Sequence, residues 1–199
     1  VNTVVDLKIS EIFYSLQGEG GRAGDPSLFV RLSGCDLTCG FCDTEFESGK
    51  ALPAEALLEK LRLLSSSCRW IVWTGGEPSL QLTAEAVAFF KAAGYMQAIE
   101  TNGNHKPPAG LDYITCSPKV AEHVVKKNMP AEIDELRYVR HSGQLAVPRP
   151  SVKARRYFLS PQFSGAAPDR ENIKHCIRLC LENPTWSLSV QTHKLLGIT

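Results

Sequence analysis

The sequence predicts an α/β fold, an incomplete (partial) βα barrel of about six parallel strands with a reduced helical layer. Short β-branched or aromatic runs alternate with longer segments of helical period, the pattern of a largely parallel sheet. Strong helical segments are few beside the strands, so the helical layer is expected to be thin in places. Residue types that carry chemistry come directly after strand-like runs, and βα barrels gather their sites at strand carboxyl ends.

Taken in order, strands are expected over Lys8 to Ser15, Ser27 to Leu32, Trp70 to Trp73 and Tyr95 to Glu100. Further strands are expected over Tyr113 to Cys116, Glu135 to Arg140, Tyr157 to Ser160 and Trp186 to Ser189, all carrying β-branched or aromatic side chains or leucine. Helices are expected over Pro53 to Leu64, opening on a proline whose fixed φ suits a first turn, and over Thr83 to Ala93, closed by Gly94. A third runs from Pro168 to Glu182 and stops before Pro184. Ala146 to Pro150 and Ser160 to Pro168 read as ordinary loops, and no repeat of about 20 to 50 residues marks a solenoid.

With 199 residues, 43% hydrophobic and 8% aromatic, the chain suffices for one domain with a sizeable core and is short for two. Residues 1–199 are therefore expected to form a single domain. Its 22 basic and 21 acidic side chains, without a long run of one sign, argue against a nucleic-acid partner. Lys153-Ala154-Arg155-Arg156 reads as solvated surface. No apolar stretch of about 18 residues and no signal-like start occurs, so a soluble, cytoplasmic protein with no membrane partner is expected. Seven cysteines, an odd number in a chain without export features, read as metal or redox ligands rather than a disulfide framework. Cys176 and Cys180, on one helical segment, read as a buried structural pair, and Cys68 and Cys116 receive no role.

The most specific motif is the run Cys35-Asp-Leu-Thr-Cys39-Gly-Phe-Cys42. Soft thiolates select zinc, Cu(I) or iron-sulfur clusters, and a centre left one protein ligand short keeps a position for a substrate or cofactor. Three more segments follow predicted strands: Gly75-Gly76-Glu77-Pro78, Thr101-Asn102-Gly103 and Ser117-Pro118-Lys119. Glycines let main-chain groups approach a ligand closely, and Glu77 can face a cationic amine. With the cysteine loop, these segments converge on one rim.

The Cys-x3-Cys-x2-Cys spacing, with aromatic Phe41 before the last cysteine, resembles the signature of the radical S-adenosylmethionine superfamily. That resemblance implies that Cys35, Cys39 and Cys42 hold three irons of a 4Fe-4S cluster while S-adenosylmethionine chelates the fourth. An electron from the cluster would cleave the sulfonium and release a 5′-deoxyadenosyl radical. Gly75, Gly76 and Glu77 resemble the segment that binds the cofactor's amino group, with Phe41 beside it. Ser117, Pro118 and Lys119 are implied to reach its carboxylate or ribose.

Across most of the chain the resemblance is to the 7-carboxy-7-deazaguanine synthases. It is carried by Leu16-Gln-Gly-Glu-Gly, Phe29-Val-Arg-Leu-Ser-Gly-Cys, Cys42-Asp-Thr, Trp73-Thr-Gly-Gly-Glu-Pro, Ile99-Glu-Thr-Asn-Gly, Ser117-Pro-Lys and Ser189-Val-Gln-Thr-His-Lys. It implies a carbon-nitrogen lyase of queuosine and deazapurine biosynthesis. The reaction converts 6-carboxy-5,6,7,8-tetrahydropterin to 7-carboxy-7-deazaguanine, with ring contraction, loss of ammonia and regeneration of the cofactor. Mg2+ is implied to bridge the substrate carboxylate and the hydroxyl of Thr44. Leu16, Gln17, Gly18 and Glu19 are implied at the pterin edge, with Arg31 and Thr74 in polar contact with the substrate and Arg31 offering its carboxylate a planar fork. Glu100, His193 and Thr199, through its terminal carboxylate, are implied in the same pocket. Ser160 and Gln162 match a cofactor-binding loop, although Ser160-Pro-Gln162 stands where the family often has Gln-Pro. An external electron donor of flavodoxin or ferredoxin type and a homodimer are implied as well.

Two other readings remain open at this point: a different radical enzyme, such as a glycyl-radical activase acting on a protein, and a non-catalytic iron-sulfur or zinc module. The absence of a ferredoxin-like cysteine insert before Gly75 weighs against the first. The Gly75-Gly-Glu-Pro and Gln17-Gly-Glu-Gly segments are unexplained by the second.

Overall fold

The computed structural model describes residues 6–40, 48–163 and 167–198. It opens with β1 (Asp6–Leu16), β2 (Pro26–Leu32) and β3 (Lys50–Pro53), followed by α1 (Ala54–Leu64) and β4 (Trp70–Gly75). Next come α2 (Ala84–Ala92), β5 (Met96–Thr101), β6 (Tyr113–Cys116) and α3 (Glu122–Asn128). The chain closes with β7 (Glu132–Arg140), β8 (Lys153–Pro161), α4 (Arg170–Glu182), β9 (Trp186–Leu188) and α5 (Thr192–Leu196). All these strands join one 9-stranded sheet in the order β3-β1-β2-β4-β5-β6-β7-β8-β9.

From β2 through β4 to β9 every neighbouring pair is parallel, which gives seven parallel strands where about six were expected. β1 instead runs antiparallel to β2 and to β3. The link 17–25 is too short for a crossover helix, so β1 and β2 can pair only as a hairpin. β3, α3 and α5 were not anticipated. They are short, and α5 buries none of its residues, so no apolar period announces them.

The expected helices hold, each with a visible start. Pro53 stands at the N-cap of α1. The Thr83 side chain accepts the Ala86 N–H at 3.2 Å at the start of α2, and Asp169 accepts the Glu171 and Asn172 N–H groups at that of α4. Two apolar cores lie under these helices. One joins Leu57 and Leu61 of α1 and Phe90 of α2 to Leu28, Ile71, Trp73 and Ile99 of the sheet. The other joins Leu179 of α4 to Leu136, Leu159 and Trp186. Cys68 lies in the first; Cys116 and Cys176 lie in the second with Cys180 packed against it, so these four thiols are core residues.

The opposite sheet face is different. Its small apolar cluster consists of Phe29, Val72 and Ala98, with Phe13 stacked on Phe29 at 4.9 Å. Because side chains alternate along a strand, the residues two further on, Arg31, Thr74 and Glu100, share that face near the strand carboxyl ends. Register sets Arg31 beside Thr74, and Glu100 beside Thr115, itself beside Glu135. The sheet thus presents a polar row on the face opposite α1, α2 and α4. No helix among the described residues is long and apolar enough to cross a membrane.

Candidate active site

Two adjoining cavities open at the carboxyl ends of the parallel strands, one of 560 Å³ and one of 350 Å³. Both are of ligand-pocket size. Glu19, Glu100, Gln191 and Lys194 line both and form the wall between them.

The larger cavity carries the cysteine loop on its wall, through Cys35, Leu37, Cys39 and Gly40. Gly75 and Gly76 line it too, and their lack of side chains has a local cause. Gly75 adopts φ 107°, and a Cβ on Gly76 would lie 1.9 Å from the Gly34 carbonyl oxygen. The Gly76 N–H donates to Leu32 O and the Glu77 N–H to Gly34 O, both at 2.9 Å. The glycines therefore let the turn after β4 lie directly against the base of the cysteine loop.

Glu77 does not line either cavity. It is fully buried, and its carboxylate accepts the Ser79 N–H at 3.0 Å, the Thr101 hydroxyl at 2.8 Å and the Asn102 N–H at 2.7 Å. It ties the glycine turn to the end of β5. Asp36 makes a second tie, accepting hydrogen bonds from His105 at 2.7 Å and from Asn104. Partial burial pushes the Asp36 carboxyl up, but the bonds from Asn104 and His105 outweigh it and hold it below its ordinary value. Burial pushes the Cys35 thiol up.

Ser117, Lys119, Ser160 and Gln162 also line this cavity. Lys119 Nζ donates to Ser117 Oγ at 2.7 Å, and burial, then Arg137, lowers its pKa. Ser160 Oγ lies 3.0 Å from Glu19 Oε1. Pro118 lines neither cavity; its neighbours Ser117 and Lys119 donate their N–H groups to Thr101 O and Asn102 O.

The smaller cavity is lined by Leu16 at the end of β1 and by Gln17, Gly18 and Glu19 of the link after it, together with Arg31, Thr74, Glu100 and His193. Gln17 Nε2 donates to Glu100 Oε1 at 2.9 Å. Arg31 pairs with Glu11 at 3.2 Å and lies over the Phe13 ring at 5.2 Å. The last segment is pinned to this link: Thr192 donates to Gly18 O through its N–H at 2.9 Å and its hydroxyl at 2.7 Å. His193 fills the space above Gly18, where a Cβ would lie 2.0 Å from its Nδ1.

The structure therefore brings together most of the side chains that the sequence singles out, and sets Glu77 and Pro118 outside the cavity walls. Phe41, Cys42, Thr44 and Thr199 lie outside the described residues. Arg137 lines the site and was not anticipated, and Asn102, Gln191 and Lys194 line it from segments that the sequence singles out without giving these residues a role. Arg137 had a signal: in Glu135-Leu-Arg137-Tyr-Val, two charges alternate with apolar residues inside a central strand, where a charge needs a partner.

With thiols on its wall and a parallel sheet beneath it, the larger cavity fits the radical S-adenosylmethionine class that the cysteine spacing resembles. Curated relatives make the family particular. The chain is 39% identical to the 7-carboxy-7-deazaguanine synthase of Caulobacter vibrioides, the match covering 96% of this chain and 98% of that protein. It is 40% identical to that of Haemophilus influenzae (97% and 94% covered) and 37% identical to that of Bacteroides thetaiotaomicron (96% and 98%). It belongs to the 7-carboxy-7-deazaguanine synthase family. Its fold is also that of the crystal structure of QueE from Escherichia coli, with a TM-score of 0.72, 24% identity, and 94% and 95% of the two chains covered. No family model matches the chain.

Proposed function

We propose that the chain is a lyase converting 6-carboxy-5,6,7,8-tetrahydropterin to 7-carboxy-7-deazaguanine, with ring contraction and loss of ammonia, in queuosine and deazapurine biosynthesis. One observation carries this reading beyond family membership: a cavity walled by thiols and glycines shares a wall of Glu19 and Glu100 with a second cavity walled by polar side chains. A cofactor in the first and a planar, hydrogen-bonding heterocycle in the second would meet at that wall.

The donor set of the larger cavity fits a 4Fe-4S cluster with S-adenosylmethionine, because Cys35 and Cys39 offer soft ligands with Cys42 next in the motif, and Lys119 offers a cation for a carboxylate. When bound, that pair supplies reductive cleavage of a sulfonium and hydrogen abstraction. Gly75 and Gly76 hold the cysteine loop against the sheet, and Glu77 and Asp36 brace it from β5. In the smaller cavity Gln17 and Glu100 present a paired donor and acceptor to a pterin edge, and Arg31 presents a cation to its carboxylate. Gly18, held under Thr192, offers main-chain groups, and His193 closes the pocket from the last segment. Ser160 and Gln162 stand on the cofactor side, Leu16 and Thr74 on the pterin side.

The finer readings follow the family. The sheet forms a partial barrel, a single domain spans residues 1–199, Phe41 flanks the cofactor, Thr44 supplies a hydroxyl to Mg2+, and Thr199 contributes to the pocket. A homodimer in the cytoplasm, reduced by a flavodoxin or ferredoxin type donor, completes the assignment. The test is anaerobic reconstitution with iron and sulfide, followed by assay with S-adenosylmethionine and the carboxytetrahydropterin. Formation of 7-carboxy-7-deazaguanine is expected. Cofactor cleavage without that product would favour another radical enzyme, and a cluster indifferent to S-adenosylmethionine would favour a non-catalytic module.

A further inference from the structure

Arg137 is the most enclosed charged residue lining the larger cavity. Its side chain is 4% exposed, and it rises from the middle of β7 to line the larger cavity. Three carboxylates surround its guanidinium. Nη2 hydrogen-bonds Glu100 Oε2, and Nη1 lies 3.6 Å from Glu135 Oε1 and 3.9 Å from Glu19 Oε2. Each carboxylate comes from a different part of the chain: Glu100 from β5, Glu19 from the link after β1, and Glu135 from β7 itself. Other charged or titratable groups around them are Lys119 after β6, Lys194 of α5 in the shared wall, Tyr113 of β6, which donates to Glu135 at 3.1 Å, and Arg156 of β8, which donates to Gly21 O at 2.9 Å.

Glu19 and Glu100 are the acids of the shared wall, and each has a second polar partner. Glu100 accepts from Gln17, and Glu19 is bonded to Ser160. The link that carries Glu19 and Gln17 is pinned over the same cluster, since the Gly21 N–H donates to Glu135 Oε2 at 2.9 Å and the Gly20 N–H to Ser189 Oγ at 2.8 Å. A Cβ on Gly20 would lie 2.0 Å from Glu135 Oε1, so the link sits directly on this acid.

We propose that Arg137 is the positioning residue of the pterin pocket, holding the side chains of Glu100 and Glu19 aimed into the wall between the two cavities. The proposal rests on the pterin reading given above. Removing the cation leaves Glu19, Glu100 and Glu135 facing one another, and like charges at this range force a proton onto one of them at neutral pH. A protonated Glu100 loses its strong bond to Gln17, and the pocket's donor and acceptor pattern changes. Lysine restores the charge but not the fork that reaches several carboxylates at once.

The test is fluorescence titration of the reconstituted holoenzyme with 6-carboxypterin, an oxidised and unreactive probe, from about pH 6 to pH 9, with KM and kcat measured alongside. Arg137→Gln should bind the probe about tenfold more weakly at pH 7 and recover towards wild type near pH 9, while wild type stays flat over that range. Arg137→Lys should lose no more than about threefold and also stay flat. In turnover the loss should fall on KM more than on kcat. If Arg137→Gln does not fold, Arg137→Gln/Glu135→Gln is compared with Glu135→Gln alone, one like charge having been removed from both. A weaker, alkali-recovering affinity in the double variant supports the proposal. Affinity within about twofold of the reference, or a pH-independent loss shared equally by Arg137→Lys, overturns it. A wild-type holoenzyme that cleaves S-adenosylmethionine yet fails to bind 6-carboxypterin would instead overturn the pterin reading, and this inference with it.

Discussion

The two cavities are built from opposite materials. Around the cysteine loop the contacts are made largely by main chain: Gly75 and Gly76 lie against Leu32 and Gly34, and Glu77 fastens N–H groups of two loops. Around Glu19 and Glu100 the contacts are made by long charged side chains converging on Arg137. A main-chain site tolerates almost no change in side-chain volume, because a carbonyl cannot rotate out of the way. A side-chain site tolerates volume but depends on charge balance. Substitutions should therefore act through fit in the first region and through pH in the second.

The largest effect is expected in the first region. Cys39→Ala removes a soft ligand that no neighbouring described side chain replaces, so iron content and turnover should both fall to background after reconstitution. A variant that keeps full iron and activity would break the assignment of the cysteine loop. Gly76→Ala should follow closely. Its new Cβ would meet the Gly34 carbonyl at 1.9 Å, so the turn or the cysteine loop must shift. A loss of about 2–4 kcal/mol is expected, a fall in Tm of roughly 5–15 °C for a chain of this size, together with weaker S-adenosylmethionine binding. Unchanged melting and binding would show that the loop adapts and that the contrast between the regions is overdrawn.

The same contrast explains what the sequence reveals. The main-chain region depends on glycines and cysteines at fixed spacing after apolar strands, and residues as restrictive as Gly75, Gly76, Cys35 and Cys39 leave a mark that can be read without coordinates. The strands and the three longer helices are legible for the related reason that their apolar period is strong. β1 pairs against the sheet's majority direction because of the length of the link after it, a constraint that strand propensity does not carry. Arg137 and Lys194 are ordinary basic residues in sequence, and only the register of β7 and the return of the last segment over Gly18 bring them to the site. Glu77 shows the reverse case. A glutamate beside two glycines at a strand end invites a ligand, yet the local main chain supplies three donors that take up its oxygens.

Glu77→Gln sharpens that last point. The carboxylate accepts two N–H groups and a hydroxyl, whereas an amide would turn an NH2 towards either the Ser79 and Thr101 donors or the Asn102 donor. A loss of about 2–3 kcal/mol is expected, read as a lower midpoint in urea with an unchanged m value. S-adenosylmethionine affinity measured on the folded fraction should change less than in Gly76→Ala. If affinity collapses while stability is retained, Glu77 touches the ligand and the brace reading fails.

The smallest effect belongs to the charged region and is a matter of pH. Burial raises the Glu135 carboxyl above its ordinary 4.5, and the attraction of Arg137, shared with Glu100 and Glu19, does not fully offset it. Among the described residues, Glu135 Oε1 also has no hydrogen-bond donor. An acid whose folded value is raised contributes stability that is complete below its unfolded value and declines as pH rises through the folded value. Wild type should therefore lose stability relative to Glu135→Gln as pH climbs from about 4.5 towards neutrality, because glutamine keeps the neutral shape and can still accept from Gly21. The difference should reach about 1 kcal/mol, or roughly 2–4 °C in Tm, measured by thermal unfolding at pH 4.5 and pH 7.5. A difference that shrinks with rising pH would mean that Arg137 wins over burial at this position, and the charged region would then be as well balanced as the main-chain one.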